Sequence, residues 1–124
     1  LLELHVSAQG KLWLAHMAPT EREARIDALI RGGALGDETA KQLTAELDRA
    51  RHDGFACNRG ESEPDIGAVA VPVFDPAGAL RLTISAFGMA SRFSPDHEAE
   101  IAARLTEDAK EIAKVIPDPA VPET

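Results

Sequence analysis

The first third of the chain shows apolar residues at helical spacing, interrupted by proline and glycine. Ser7 is placed to cap a first helix, which Pro19 ends. Thr20 and Glu23 then match a capping box, which predicts the start of a second helix. A glycine pair beginning at Gly32 stops that helix, because glycine readily takes the conformation that follows a helix end.

The next segment has an amphipathic pattern that predicts a third helix. Asp37 is placed to cap this helix and Gly54 to end it. Its apolar residues recur at spacings of three and four, which puts them on one face: Ala40, Leu43, Leu47 and Ala50. We therefore expect one side of this helix to be buried.

The middle of the chain changes from helical spacing to alternation. The pattern predicts a short strand at 55–58, a polar loop at 59–65, and two longer strands at 66–74 and 79–88 joined by an Asp-Pro-Ala-Gly turn. Alternation in the last strand places two sets of side chains on opposite faces, with Leu80, Leu82, Ile84 and Ala86 on one and Arg81, Thr83, Ser85 and Phe87 on the other.

A final helix is predicted from Ser94, a capping residue followed by a proline at the first helical position. Its apolar stripe consists of Ile101, Leu105, Ile112 and Ile116. The order of elements predicts an α+β domain over residues 1–116, an antiparallel sheet with helices packed on it, and a flexible tail over 117–124. Three strands are few for four helices, so we expect the first strands of the sheet to be missing from this chain.

Composition narrows the partners that this domain can have. The 124 residues are 44% hydrophobic and carry a net charge of −8, which argues against direct contact with nucleic acid. A single cysteine cannot form an internal disulfide, which favours a cytoplasmic location. No apolar run approaches the roughly 20 residues that cross a bilayer, so no membrane partner is expected.

The sequence offers no convincing catalytic or metal-binding pattern. The four histidines are scattered and lack neighbouring ligands, so neither a metal nor another cofactor is predicted. Cys57 has only Arg59 nearby to lower its pKa, so a buried small residue is favoured over a redox or nucleophilic role. The acidic cluster Glu61, Glu63 and Asp65 is interpreted as a solvated loop. We predict that the chain is not an enzyme.

Three segments resemble the effector-binding domain of IclR-type bacterial transcriptional regulators. HVSAQGKLWLA, from His5, resembles the family's His-x-x-x-x-Gly-Lys-x-x-Leu-Ala helix start. ELDRARHDGFACNRGE, from Glu46, is similar to its EL…R..GYA.D..E segment. The hairpin region from Ile66, IGAVAVPVFDPAGALRLTISAFGMASRFSPD, is similar to its G..C.AAPVFD..G.VVAALSVSGP..R.T.. region. The order and spacing of the three make the resemblance specific.

The resemblance implies a GAF-like or profilin-like antiparallel sheet flanked by helices, with a pocket for a small organic effector. It implies an effector site at seven positions: Ala8, Gln9, Asn58, Ile66, Ala68, Ser85 and Phe87. Lys11 is predicted to be a surface lysine, with a carboxylate partner as the alternative. In the family the domain forms dimers or tetramers, and DNA is bound by an N-terminal winged helix-turn-helix that this chain lacks.

Three site positions depart from the family members that bind small oxo-acids. Those members often have Asp where this chain has Asn58, Cys or a similar residue where it has Ala68, and Ser where it has Phe87. A neutral amide and an aromatic ring make the pocket less polar, so we expect an aromatic or more hydrophobic organic acid. The alternative is that Ala68 and Phe87 plug the pocket. The leading function is thus ligand sensing in a transcriptional regulator; a dimerisation module without ligand and a Cys57-based redox enzyme on a GAF-like fold are the alternatives.

Overall fold

The computed structural model describes residues 5–61 and 63–117. Its elements, in chain order, are α1 (Ala8–Ala15), α2 (Pro19–Arg31), α3 (Asp37–Asp53), β1 (Ala56–Arg59), β2 (Ile66–Phe74), β3 (Leu80–Met89), a 3-10 turn (Ala90–Arg92) and α4 (Pro95–Ala113). The order and type of every predicted element are confirmed. The predicted flexible tail lies outside the described residues except for Pro117. No helix in the described part of the chain is long and apolar enough to cross a membrane.

The three strands form one antiparallel sheet in the order β1-β2-β3. A buried carboxylate builds the turn between β2 and β3: Asp75 Oδ1 accepts from the backbone N–H of Ala77 at 2.9 Å and of Ala79 at 3.0 Å. Gly78 completes the turn at φ 87°, a left-handed conformation that favours glycine. The pairing runs from Ile66 opposite Met89 to Phe74 opposite Leu80 and sets which side chains share a face.

Helices cover both faces of the sheet. The first core lies where α1 packs on the sheet and α3 packs on α1, and it includes Leu12, Leu14, Leu43 and Leu47. The second core lies between the sheet and α4, and it contains Val69, Val71, Val73, Phe93, Ala102 and Ala109. The α+β prediction of an antiparallel sheet with helices packed on it is therefore confirmed.

Serine caps start α1 and α4 as predicted. Ser7 Oγ accepts the Gly10 N–H at 3.0 Å, and Ser94 Oγ accepts the His97 N–H at 3.2 Å. Each bond satisfies an N–H that has no partner within its helix. Gly54, with φ 84°, ends α3, which also agrees with the prediction.

The predicted caps of α2 and α3 are wrong. Helix α2 begins at Pro19 and is capped by Ala18 without a side-chain hydrogen bond, so Thr20 is already inside it. Proline suits this first position because its ring fixes a helical φ and it has no N–H to leave unpaired. Gly36 takes the cap position of α3, and Asp37 is the first helical residue, where its negative charge complements the helix dipole.

Candidate functional site

A pocket of about 300 Å³ opens at the end of the sheet where α1 begins. It is lined by Ser7 and Gln9 from the start of α1, by four strand residues, and by Glu63 from the segment between β1 and β2. The structure brings together five of the seven predicted site residues in its wall: Gln9, Asn58, Ile66, Ala68 and Phe87.

Strand register explains why these residues meet. Asn58 in β1 pairs with Ala68 in β2, and Ala68 pairs with Phe87 in β3, so the three side chains form a row on the α1 face. Ile66 lies on the same face, two residues before Ala68. Because Ala68 contributes only a methyl group in the middle of this row, space remains between its larger neighbours.

The other two predicted residues lie beside the pocket and do not line it. Ala8 is fully buried in the core between α1 and the sheet. Ser85 is half-buried on the same face as Phe87, opposite Ala70. Ser7 and Glu63 line the pocket but are not among the seven predicted site residues. Both lie next to features that the sequence shows: Ser7 directly precedes the first helix, and Glu63 belongs to the acidic cluster.

Asn58 is a buried polar residue on a strand of the pocket wall, with 7% of its surface exposed. Its Oδ1 accepts the backbone N–H of Glu61 at 2.8 Å. Its NH2 group has no hydrogen-bond partner among the described residues, and it is not one of the fully enclosed unpaired atoms, which are His16 Nε2 and Arg22 Nε. The Asn58 NH2 group is therefore left without a partner among the described residues, on a side chain that lines the pocket.

The electrostatics of the pocket come from a helix end and one carboxylate. The amino-terminal end of α1 carries a partial positive charge and lies at the pocket through Ser7 and Gln9. Among the described lining residues none is Lys or Arg, and Glu63 is exposed. The walls formed by Ile66 and Phe87 are apolar, and these side chains are 45% and 65% exposed. The site thus combines a polar end with an open apolar wall.

Lys11 differs most from its predicted position. It is fully buried, and its Nζ donates to Glu46 Oε1 at 2.6 Å, to Glu61 Oε1 at 2.6 Å and to the Cys57 carbonyl at 2.9 Å. The surface prediction is wrong, whereas the alternative of a carboxylate partner is right. Burial is tolerated because an ammonium has three N–H donors and each finds an acceptor, two of them charged.

A second, larger groove of about 500 Å³ runs along the outer edge of β1. Several of its charged groups already pair with each other. Arg59 Nε donates to Glu98 Oε2 at 2.7 Å, a second bond joins Arg59 Nη2 to Glu98 Oε1, and Glu46 and Glu61 bind Lys11. Because these charged groups already have partners, the groove is a weaker candidate for a ligand site than the pocket.

Cys57 faces the same groove and has an unreactive environment. Burial, followed by the adjacent Glu98 carboxylate, raises the pKa of its thiol to about 12, although Arg59 and Lys11 oppose the shift. The thiol therefore stays protonated at neutral pH, and a protonated thiol is a poor nucleophile. No cluster of metal-ligating side chains occurs among the residues that the structure describes.

Comparison with known proteins decides the family. The family described as bacterial transcriptional regulator IclR, C-terminal, matches residues 1–114. The chain belongs to the IclR family. It is 27% identical over 117 residues to RhmR of Escherichia coli and 31% identical over 115 residues to BhcR of Paracoccus denitrificans, covering 93% and 89% of this chain. Both are named as HTH-type transcriptional regulators, in agreement with the prediction that the chain is not an enzyme.

The IclR match covers part of each relative. The chain spans 45% of RhmR and 40% of BhcR. The C-terminal domain of Escherichia coli KdgR superposes with a TM-score of 0.70 at 27% identity, covering 90% of this chain and 69% of that one. The inducer-binding domain of Acinetobacter PobR, solved as a double mutant with 3-hydroxybenzoic acid, has a TM-score of 0.75 at 20% identity, covering 93% and 67%. The fold is thus that of IclR C-terminal domains.

Proposed function

We propose that the pocket between α1 and the sheet binds a small organic acid, and that its occupancy controls DNA binding by another part of the regulator. The observation that carries this proposal is the Asn58 side chain. It is a polar group more than nine-tenths buried, with an NH2 group that lacks a partner among the described residues and lines the pocket at the start of a helix. Such a group favours a ligand that accepts a hydrogen bond.

The polar end of the pocket suits a carboxylate. The amino-terminal turn of α1 supplies a partial positive charge, and backbone N–H groups at such an end bind anions. The Asn58 NH2 group adds a neutral donor beside it. Glu63 opposes an anion, but its exposed position lets water screen the repulsion.

The apolar wall suits an aromatic or hydrophobic body on that acid. Phe87 offers an exposed ring, and aromatic rings stack at a gain of about 0.5–1.5 kcal/mol beyond the burial of their area. The PobR domain described above holds 3-hydroxybenzoic acid, which supports an aromatic acid for a pocket on this fold.

The remaining partners follow from the family and the charge of the chain. We infer that DNA is bound by a winged helix-turn-helix domain separate from this segment, because the net charge of −8 disfavours contact with phosphates and the relatives are named as HTH-type. A cytoplasmic location and a homodimer or homotetramer belong to the same proposal.

Thermal denaturation with added ligands tests the proposal. A specific ligand at one hundred times its Kd is expected to add about 2.7 kcal/mol to the free energy of unfolding. We expect 3-hydroxybenzoate and benzoate to raise Tm with concentration, and Asn58→Leu to abolish this rise. Stabilisation by glyoxylate, with the aromatic acids silent, would contradict the aromatic assignment. If no acid of either kind stabilises the chain, organic-acid sensing is wrong.

The exposed apolar side chains of β3 favour a second candidate function, a module for protein association. Leu82, Phe87 and Met89 are all exposed on this strand, which has a sheet partner on one side only among the described strands. Sedimentation at increasing concentration separates the two functions. The association function would be favoured by an oligomer that forms without ligand and dissociates in Phe87→Ser, together with no rise in Tm on addition of ligand.

A further inference from the structure

A single hydrogen bond decides which end of the Asn58 amide faces the pocket. The backbone N–H of Glu61 donates to it at 2.8 Å, and because a backbone N–H only donates, the atom that receives it must be the amide oxygen. The NH2 group is then the end left for a ligand. Whatever holds the Glu61 backbone in place therefore determines whether the pocket presents a donor or an acceptor at this point.

Glu61 is anchored by a buried cation outside the pocket. Its Oε1 accepts from Lys11 Nζ at 2.6 Å, and the same ammonium donates to the carbonyl of Cys57 at 2.9 Å. Lys11 thus binds the chain directly before Asn58 and again three residues after it. Glu46 on α3 takes the third N–H, and Lys11 itself is fully buried.

We propose that Lys11 and Glu61 are positioning residues of the pocket, which keep the Asn58 NH2 group directed into it, so that the effector must present an acceptor oxygen there. This inference rests on the proposed function and narrows its ligand class to carboxylates and carbonyl compounds. The preference depends on the fixed orientation of the amide: if the Asn58 side chain turned over, its oxygen would face the pocket and offer an acceptor in place of a donor.

Amide hydrogen exchange tests the positioning without any ligand. Glu61→Ala removes the anchor but keeps the backbone N–H, and we expect the protection factor of that N–H to fall about tenfold or more as the segment loosens. Glu61→Gln still offers Lys11 an acceptor and should keep protection close to wild type. Asp65→Ala, which removes an equal charge from the same segment, is the matched control and should change nothing at residue 61.

Exchange at Val71 in the central strand separates positioning from a general loss of stability. We expect Glu61→Ala to leave Val71 protected, since the core between β2 and α4 is unaltered. If Glu61→Ala leaves the amide of residue 61 as protected as in wild type, or loosens Val71 equally, the positioning role is wrong. Glu61 variants are preferred over Lys11→Met because the loss of Lys11 leaves two carboxylates facing each other.

Binding of two probes of the same shape tests the ligand class. Benzoate presents acceptors and benzamidinium presents donors, so wild type should bind benzoate at least about tenfold more tightly. Glu61→Ala, which frees the Asn58 amide to turn over, should reduce this ratio, whereas Asp65→Ala, which removes an equal charge, should not. Wild type that prefers benzoate while Glu61→Ala keeps the same ratio would overturn the inference and leave the proposed function standing. A preference of wild type for benzamidinium would overturn both the inference and the proposed function.

Discussion

The two faces of the central strand differ in the size of their side chains. Towards α4, β2 presents Val69, Val71 and Val73; towards α1 it presents Ala68 and Ala70. All five are buried, and they alternate along a single strand. The valines fill the space under α4, whereas the alanines allow α1 to lie close to the sheet. Where α1 begins, the small side chain of Ala68 leaves the pocket open.

At the same end of the sheet, Phe93 covers the α4 face. A Cβ added at Gly67 would lie 2.6 Å from Phe93 Cδ2, and one added at Gly88 would lie 3.1 Å from Phe93 Cε2. Gly67 and Gly88 pair across β2 and β3, so the ring covers a site without side chains. One face is therefore closed by an aromatic ring over two glycines, and the other carries an exposed ring, Phe87, beside an open pocket. We expect the first face to determine stability and the second to determine binding.

Phe93→Ala should have the largest effect on this comparison. Truncating a buried Phe costs about 3–5 kcal/mol, because apolar contacts are lost and a cavity remains. Affinity of the folded protein for an aromatic acid should be unchanged. Phe87→Ala is the matched control on the other face, and we expect it to cost less than about 0.5 kcal/mol while weakening binding. Urea denaturation and calorimetry measure both quantities, and equal costs would remove the distinction.

Gly67→Ala should cause the next largest loss of stability. Its new methyl group enters the space of the Phe93 ring, and overpacking of this kind costs about 1–3 kcal/mol. Gly88→Ala meets the same ring at the longer distance, so a smaller loss is expected in parallel denaturation curves. A greater loss for Gly88→Ala would show that the ring is held differently from the geometry described.

Ala68→Leu tests the pocket face by filling it. The larger side chain extends from the middle of the row formed by Asn58, Ala68 and Phe87, so affinity for benzoate should fall about tenfold, or about 1.4 kcal/mol. The free energy of unfolding should change by less, because open space receives the added atoms. Ala70→Leu is the control: it lies on the same face under α1, away from the pocket wall, and should destabilise the fold. If Ala70→Leu instead weakened benzoate binding and Ala68→Leu destabilised the fold, the open space would lie at Ala70.

The smallest effect concerns pH at the far end of the α1 face, where His16 packs edge-on against Phe74 at 5.1 Å. Burial, followed by the nearby charges of Arg51 and Arg22, lowers the pKa of His16 below its ordinary value of 6.5. The unfolded chain therefore takes up a proton more readily. Stability should fall as pH drops below 6.5 and stay level above it.

The variant His16→Phe should reduce this acid-side loss, and His52→Gln, at an exposed histidine, should not. Tm measured from pH 8 to pH 5 distinguishes them. A loss of the same size in wild type and His16→Phe would assign the pH dependence to other groups.

Local signals predicted most of the secondary structure. The bounds of β2 agree with the prediction at both ends, and β1 and β3 each lie one residue further along the chain. Alternation and resemblance placed Asn58, Ala68 and Phe87 together, and the strand register confirms that they share one face; their role as a site stays a prediction. Lys11 was misplaced because its partners lie 35, 46 and 50 residues away, and no local pattern indicates them.

By itself the sequence determined the order and type of the elements, several of their ends, and which strand residues share a face. These depend on near neighbours: Ser7 and Ser94 supply caps, Gly54 supplies a left-handed residue, and alternation follows from the pleat of a strand. Only the tertiary structure decided that Lys11 is buried, that Phe93 covers two glycines, and which end of the Asn58 amide accepts the Glu61 N–H. Each of these depends on how separate elements pack together, because distant groups must supply the missing hydrogen bonds and fill the space.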